Sequence, residues 1–189
     1  MRSFGARLWD SLGQFGPLCV GIDPHASLLE SWGLDATADG ARRFGLRVVE
    51  ACAGRVGVVK PQVAFFERYG SAGFAALEDI LAAARSAGLI VIADAKRGDI
   101  GTTMDGYAAA WLEPGSPLEA DAVTLSPYLG PDSLYATITT AIRREKGVFV
   151  LAATSNPEGL PVQTALTRDD SAPGDESVAA RVAREIGSQ

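Results

Sequence analysis

The sequence of 189 residues predicts an α/β fold of the (β/α)8 barrel type, with about the first five β/α units present. Short apolar runs that are typical of buried strands alternate with longer segments of helical periodicity along the chain. Polar residues follow nearly every run, namely Asp23, Lys60, Asp94, Ser126 and Ser155. A barrel brings the carboxyl ends of all its strands to one mouth, whereas a doubly wound sheet gathers functional residues at one switch point. This distribution therefore favours the barrel.

The N-terminal half contains three predicted strands. Phe4, Leu8, Leu12 and Phe15 fall near one helical face, which predicts a short helix packed on the body rather than a targeting peptide. Strands are predicted at 17–24, 56–60 and 89–93. Helices are predicted over 37–52, with Thr37 or Asp39 as its N-cap, and over 72–87, ending at Gly88.

The C-terminal half continues the same alternation. Helices are predicted over 102–112, 132–144 and 176–186, strands over 122–126 and 148–153, and a polar loop over 166–174. We expect residues 1–189 to form one partial barrel domain. A barrel of this kind needs roughly 250 residues, so we expect the chain to be a fragment of a longer barrel.

Composition excludes several classes of protein. The net charge of −6 and the absence of a basic stripe argue against binding of nucleic acid. No apolar stretch reaches the length that spans a membrane, and we expect a cytoplasmic protein. Cys19 and Cys52 are isolated in the sequence, and we expect two buried thiols in a reducing compartment. The single histidine, His25, gives little support for a histidine-rich metal site or a Ser-His-Asp triad.

The segment that follows the third predicted strand carries the clearest indication of function. Asp94 and Lys96 share one face because side chains alternate along a strand. Only three of the 17 basic residues are lysines, and two of them, Lys60 and Lys96, end predicted strands. A lysine ammonium can donate a proton, whereas an arginine guanidinium almost never does. For Asp94 and Lys96 alone, an ordinary salt bridge at a strand end remains an alternative.

Together with Lys60 and Asp99, this pair predicts an alternating array of cations and anions. Such an array keeps several charges in a dry site because each charge is flanked by its opposite. It suits a reaction that develops negative charge on carbon with neither a metal nor an organic cofactor. In the decarboxylation of an sp² carbon, Asp94 would press against the leaving carboxylate and Lys96 would protonate the carbanion.

The segment Asp94–Ile100 resembles the Asp-x-Lys-x-x-Asp-Ile motif of the orotidine 5′-phosphate decarboxylase family. The strand ends Gly21–Asp23 and Val59–Pro61 precede the motif in the order typical of that family, and Ser126–Gly130 and Ala153–Gly159 resemble its longer-chain bacterial branch. The resemblance implies a (β/α)8 barrel that converts orotidine 5′-monophosphate to UMP in pyrimidine biosynthesis without a cofactor. It also implies a homodimer in the full-length protein.

The resemblance further implies a role for each site residue. Lys60, Asp94, Lys96 and Asp99 would be catalytic, with Lys96 as the proton donor and Asp99 serving the active site of the partner subunit. Four residues would bind substrate: Asp23 at the ribose together with Lys60, Thr103 at the ribose of the neighbouring subunit, Ile100 at the pocket wall, and Ser155 at the pyrimidine edge. Asp23, Thr103 and Ser155 have structural alternatives, as a strand-end cap, a helix N-terminal hydroxyl and a turn former.

Nothing in the sequence matches the glutamine and arginine with which the family holds the substrate phosphate. Two other functions therefore remain open. One is an inactive barrel fragment or interaction remnant. The other is a related sugar-phosphate lyase that works through a metal-bound enediolate, although Lys60 stands where that group has an acidic metal ligand.

Overall fold

The computed structural model describes residues 2–167 and 175–188. The main strands are β1 (Cys19–Ile22), β2 (Val58–Pro61), β3 (Ile90–Arg97), β4 (Ala122–Leu125) and β5 (Gly147–Val150). The short strands β6 (Leu166–Thr167) and β7 (Glu176–Ser177) form an antiparallel pair. The helices are α1 (Phe4–Phe15), α2 (Ala26–Ser31), α3 (Ala38–Cys52), α4 (Ala64–Glu67), α5 (Gly70–Ser86), α6 (Gly101–Leu112), α7 (Tyr135–Arg143), α8 (Leu160–Gln163) and α9 (Val178–Gly187). Two 3₁₀ turns, Pro131–Leu134 and Pro157–Gly159, precede α7 and α8.

The five main strands lie in one parallel sheet in chain order, β1-β2-β3-β4-β5. Each connection contains at least one helix, as parallel pairing requires. A doubly wound sheet reverses its strand order at a switch point, and this sheet does not. The order is that of consecutive strands in a barrel, which confirms the predicted fold class and its five β/α units.

The two faces of the sheet are covered by different elements. Alternate residues such as Val59, Val91 and Val123 belong to the large core beneath the helices. The residues between them, Val58, Ile90, Ile92 and Ala122, form a second cluster on the inner face, where Phe4, Leu8 and Leu12 of α1 pack. The predicted N-terminal helix is therefore confirmed. An ion pair of 2.6 Å between Arg7 and Asp121 also joins this helix to the sheet.

Local signals placed several helix ends correctly. The Thr37 hydroxyl accepts a hydrogen bond from the Gly40 amide at 3.1 Å, so Thr37 is the N-cap of α3. Gly88 follows α5 with a φ of 74°, a left-handed conformation that glycine adopts without steric cost.

Other boundaries differ from the prediction. The helices α2, α4 and α8 are four to six residues long and lack the repeated periodicity that identifies a helix in sequence. Strand β3 runs to Arg97 rather than to residue 93, because its pairing with β4 resumes at Leu125 after a register shift. In the predicted loop 166–174, Leu166 and Thr167 form β6, and 168–174 lies outside the described residues. The last helix begins at Val178, because Ser177 is its N-cap.

The expectation that both cysteines are buried is wrong for Cys19. Cys52 is buried on α3, but Cys19 is exposed, and both are free thiols. Cys19 lies on β1, the edge strand of the sheet, which pairs with only one neighbouring strand. An apolar run predicts a strand but not whether that strand lies at an edge.

In the part of the chain that the structure describes, no helix combines the length and hydropathy needed to cross a bilayer.

Candidate active site

The carboxyl ends of β2, β3 and β4 bring four side chains to one edge of the sheet. Lys60 lies on β2, Asp94 and Lys96 on β3, and Thr124 on β4. Lys60, Asp94 and Thr124 belong to the inner face, because each lies two residues after a member of the inner cluster and side chains alternate along a strand. Lys96 joins them beside the bulge of β3, where its ammonium contacts Asp94. Asp94 is 7% exposed and Thr124 is 8% exposed, so the centre of this group is shielded from solvent.

Asp94 is the hub of the group. Lys60 Nζ donates to Asp94 Oδ2 at 2.9 Å, and Lys96 Nζ donates to Asp94 Oδ1 at 2.6 Å. The Thr124 hydroxyl donates to the same Oδ1 at 2.9 Å. The predicted juxtaposition of two ammonium groups around one carboxylate is therefore present within a single chain. We refer to Lys60, Asp94, Lys96 and Thr124 as the strand-end network.

The partners of Asp94 determine its ionisation. Burial by itself raises the pKa of a carboxyl, but hydrogen bonds from Lys96, Lys60 and Thr124 outweigh burial and hold the pKa of Asp94 below its ordinary value. Asp94 is therefore a carboxylate at neutral pH. The Lys96 side chain is 44% exposed and the Lys60 side chain 34%, so both ammonium groups also reach the space above the strand ends.

Gln62 is a member of this site that the sequence did not identify as functional. It forms an isolated parallel bridge with Asp94, just beyond the last residue of β2. The side-chain amide satisfies both neighbours when Nε2 donates to Asp94 Oδ2 at 2.5 Å and Oε1 accepts from Lys96 Nζ at 3.2 Å. The only available indication was its position two residues after Lys60, which places both on the same face.

The loop after β3 and the first turn of α6 carry three of the predicted site residues, and none of them joins the strand-end network in the described part of the chain. The Asp99 carboxylate accepts a hydrogen bond from the Ile100 amide at 2.8 Å, and the Asp99 amide contacts Met104 Sδ at 3.1 Å. Ile100 is 63% exposed, and Thr103 is exposed in the first turn of α6. Asp99, Ile100 and Thr103 thus lie near the network in sequence, but no hydrogen bond or ion pair joins them to it in the described part of the chain.

The remaining predicted substrate residues lie at the ends of β1 and β5. Gly21 pairs in register with Lys60, and a Cβ atom built on Gly21 would lie 2.3 Å from Asp23 Oδ2. The Asp23 carboxylate therefore lies over the strand position next to Lys60. Ser155 is exposed in the segment after β5.

An open cavity of about 450 Å³ borders the strand-end network at Lys96. It is lined by Lys96, Gly98, Ser126, Tyr128 and Leu129. Its volume lies within the range of small-molecule sites, which is about 300–1,000 Å³. Lys96, which lines the cavity, is a proton donor, and the carboxylate of Asp94 lies beside it. A donor placed in this way can transfer a proton to an anion bound in the cavity.

Gly98 permits the wall of this cavity to form. A Cβ atom on Gly98 would lie 2.4 Å from the Ser126 carbonyl oxygen, closer than any side chain tolerates. The loop after β3 can therefore contact the end of β4 only with glycine at this position.

Comparison with known proteins gives a consistent result. Residues 16–185 match the model of the orotidine 5′-phosphate decarboxylase / HUMPS family. The chain is 58% identical over 169 residues to the orotidine 5′-phosphate decarboxylase of Salinispora tropica, covering 89% of this chain and 61% of that relative. The chain thus spans about three fifths of the length of this curated relative.

Two solved structures are similar to that of this chain. A Streptomyces avermitilis protein matches with a TM-score of 0.94 and 52% identity over 100% of this chain and 64% of the other. Leishmania donovani OMP decarboxylase matches with a TM-score of 0.77 and 34% identity over 97% of this chain and 64% of the other.

Proposed function

The chain belongs to the orotidine 5′-phosphate decarboxylase / HUMPS family, and from this premise we propose that it decarboxylates orotidine 5′-monophosphate to UMP without a cofactor. The observation that carries the proposal is the placement of two ammonium groups, Lys60 and Lys96, on one buried carboxylate, Asp94. This arrangement supplies a fixed negative charge and a proton donor side by side. Decarboxylation requires both.

In the proposed reaction, Asp94 acts on the substrate carboxylate first, and Lys96 then acts on C6. The ionised Asp94 lies next to the carboxylate of the bound pyrimidine and destabilises it by charge repulsion. The bond between C6 and the carboxylate breaks, CO₂ leaves, and the electron pair remains on C6. Lys96 Nζ stabilises this developing negative charge and then gives C6 its proton. Atoms and charge balance without a metal or an electron sink.

The other predicted residues have proposed roles around this centre. Lys60 orients Asp94 and, with Asp23, binds the ribose hydroxyls. Ile100 lines the pocket, and Ser155 binds the pyrimidine edge. Asp99 and Thr103 serve the site of a second subunit, which is supported by the partial exposure of Asp99 and the exposure of Thr103 in their own chain. The proposal therefore includes a homodimer.

We propose a cytoplasmic location for this protein, which two free thiols, Cys19 and Cys52, support.

The geometry disfavours a metal-dependent sugar-phosphate lyase. A divalent cation at these strand ends would need carboxylate oxygens as ligands. Both oxygens of Asp94 already accept hydrogen bonds, one from Lys60 and the other from Lys96 and Thr124. A cation bound there would also lie beside two ammonium groups that repel it.

The proposed function is tested by following loss of orotidine 5′-monophosphate and release of CO₂. The assay uses this chain and the longest natural protein that contains it, each with EDTA and with added Mg²⁺. We expect the longer protein to show turnover that neither EDTA nor Mg²⁺ changes. Turnover that EDTA abolishes and Mg²⁺ restores would contradict the proposal. Absence of turnover in both proteins, although each is folded by circular dichroism, would favour a non-enzymatic interaction module.

A further inference from the structure

Thr124 connects the proposed proton donor to the neighbouring strand through a single hydroxyl. Thr124 Oγ1 accepts a hydrogen bond from the Lys96 backbone amide at 2.9 Å and donates one to Asp94 Oδ1 at 2.9 Å. Lys96 Nζ donates to the same Oδ1 at 2.6 Å. These three contacts close a ring that runs through the whole Lys96 side chain. In this ring, the Thr124 hydroxyl must donate its proton to Asp94, because a carboxylate cannot donate and a backbone N–H cannot accept.

The backbone of Lys96 is unusual at this point. Its φ is 49°, in the left-handed region that residues other than glycine rarely adopt. The register between β3 and β4 shifts between Ala93 and Arg97, so the strand bulges where Lys96 lies. The Lys96 amide donates to a side chain of β4, although ladder amides bond to a neighbouring backbone. Thr124 therefore supplies the hydrogen-bond acceptor for this amide where the regular pairing is interrupted.

We propose that Thr124 is a positioning residue that fixes the Lys96 ammonium and the Asp94 carboxylate relative to each other. This inference rests on the proposed function and adds to it a residue on a third strand. Lys60 and Gln62 also contact Asp94, but neither contacts the Lys96 backbone. Among the described residues, only the Thr124 side chain hydrogen-bonds both the backbone that carries the proton donor and the carboxylate beside it. Because proton transfer depends steeply on geometry, loss of this hydroxyl is expected to lower kcat more than it raises KM.

Three variants test the proposal. Thr124→Val removes the hydroxyl and keeps the shape of the side chain, and Thr124→Ser keeps the hydroxyl. Thr137→Val is the matched control, because Thr137 is buried on α7 and its hydroxyl makes no hydrogen bond within the described residues. We expect Thr124→Val to lower kcat on the order of 10- to 100-fold, as loss of a hydrogen bond to a charged group does. Thr124→Ser and Thr137→Val should retain activity close to wild type.

The pH profile distinguishes positioning from general stability. The Thr124 hydroxyl donates to the ionised form of Asp94 and so favours it. Its removal raises the pKa of Asp94, and the acid limb of kcat against pH should move to higher pH in Thr124→Val alone. The other groups facing Asp94 are the ammonium groups of Lys60 and Lys96, and the Cys19 thiol of β1 interacts electrostatically with Lys60. All of them are unchanged in the variants.

Two further measurements test the positioning role of Thr124 independently of the proposed decarboxylation. Hydrogen exchange of the Lys96 amide should accelerate in Thr124→Val and stay slow in Thr124→Ser and Thr137→Val. If the wild type shows no turnover, the proposed function fails, and carbon-13 NMR titration of the Asp94 carboxyl then decides about Thr124. Its midpoint should rise in Thr124→Val and not in Thr124→Ser.

Several results would overturn the proposal. An unchanged kcat and pH profile in Thr124→Val would show that the hydroxyl positions nothing. A loss in Thr124→Ser as large as that in Thr124→Val would show that the hydroxyl alone does not preserve activity, which contradicts a positioning role carried by the hydroxyl. A melting temperature of Thr124→Val below the assay temperature, with Thr137→Val stable, would assign the hydroxyl to folding.

Discussion

Asp94 and Asp99 lie five residues apart in one segment, but their surroundings are opposite. Asp94 is 7% exposed and receives hydrogen bonds from Lys60, Lys96 and Thr124. The Asp99 carboxylate lies in the loop after β3, is partly exposed, and accepts only the Ile100 amide among the residues that the structure describes. At the strand end, two ammonium groups of the same chain therefore compensate the charge of Asp94. In the loop, no cation among the described residues forms an ion pair with Asp99.

This difference shows what determines where a functional side chain lies. On a strand, alternation and register dictate the face on which Asp94 and Lys96 emerge, whatever their chemistry. In the loop, no such rule applies, and the role proposed for Asp99 lies outside its own chain. A short motif that carries both residues can thus belong to two different active sites.

The strongest way to disturb the strand end is to remove its proton donor. We expect Lys96→Ala to lower turnover by about 10²–10⁴-fold or more, the range that a positioned general acid contributes. Lys96→Arg should fail as well, because a guanidinium is larger and is a very weak acid. Steady-state turnover of orotidine 5′-monophosphate, with circular dichroism to verify folding, measures both.

Lys146→Ala is the matched control for this experiment. Lys146 also pairs with a carboxylate, Glu119, at 2.7 Å, but it lies just before β5, away from the strand-end network. Its loss should leave turnover near the wild-type level. Substantial turnover in Lys96→Ala would contradict the role proposed for Lys96.

The loop is tested by mixing two inactive proteins. If Asp99 serves the partner subunit, a heterodimer of Asp99→Ala and Lys96→Ala contains one intact site. Equal amounts that exchange subunits freely should recover about a quarter of wild-type activity, because half of the dimers are mixed and each has one working site of two. Activity is measured before and after subunit exchange.

The same mixing provides its own control. Lys96→Ala mixed with Asp94→Ala should recover nothing, because Asp94 and Lys96 contact each other within one chain. Failure of the first mixture to gain activity, with heterodimers verified by native mass spectrometry, would contradict a shared site.

The sequence predicts the strands and helices that have a local pattern. It does not predict contacts that depend on how the strands pair. The five strands follow from short apolar runs, and the common face of Asp94 and Lys96 was predicted from alternation; both are local signals. Thr124 was missed because a threonine inside Ala122–Leu125 is common in any strand. Its role depends on a register shift in β3, which only the paired strands reveal. Cys19 was predicted to be buried because its run does not indicate an edge strand.

The smallest effect is expected on the outer side of the same strand end. Arg97 follows Lys96 but contacts other elements, forming an ion pair with Glu67 of α4 and lying over the ring of Tyr107 on α6 at 5.5 Å. The Arg97 and Glu67 side chains are 23% and 34% exposed, and a partly exposed pair of this kind contributes little. Arg97 Nε is also buried without a hydrogen bond in the described part of the chain, which offsets part of the gain.

We therefore expect Arg97→Met, which keeps an apolar stem beside Tyr107, to change the free energy of unfolding by no more than about 1 kcal/mol. Turnover should stay within a few-fold of wild type, because neither Arg97 nor Glu67 contacts the strand-end network. Urea unfolding of Arg97→Met, Glu67→Gln and the double variant measures the coupling between the two side chains. A loss of turnover above about 10-fold with unchanged stability would mean that the outer pair also sets the geometry of Lys96. The inner and outer sides of β3 would then differ less in their effect on turnover than their contacts indicate.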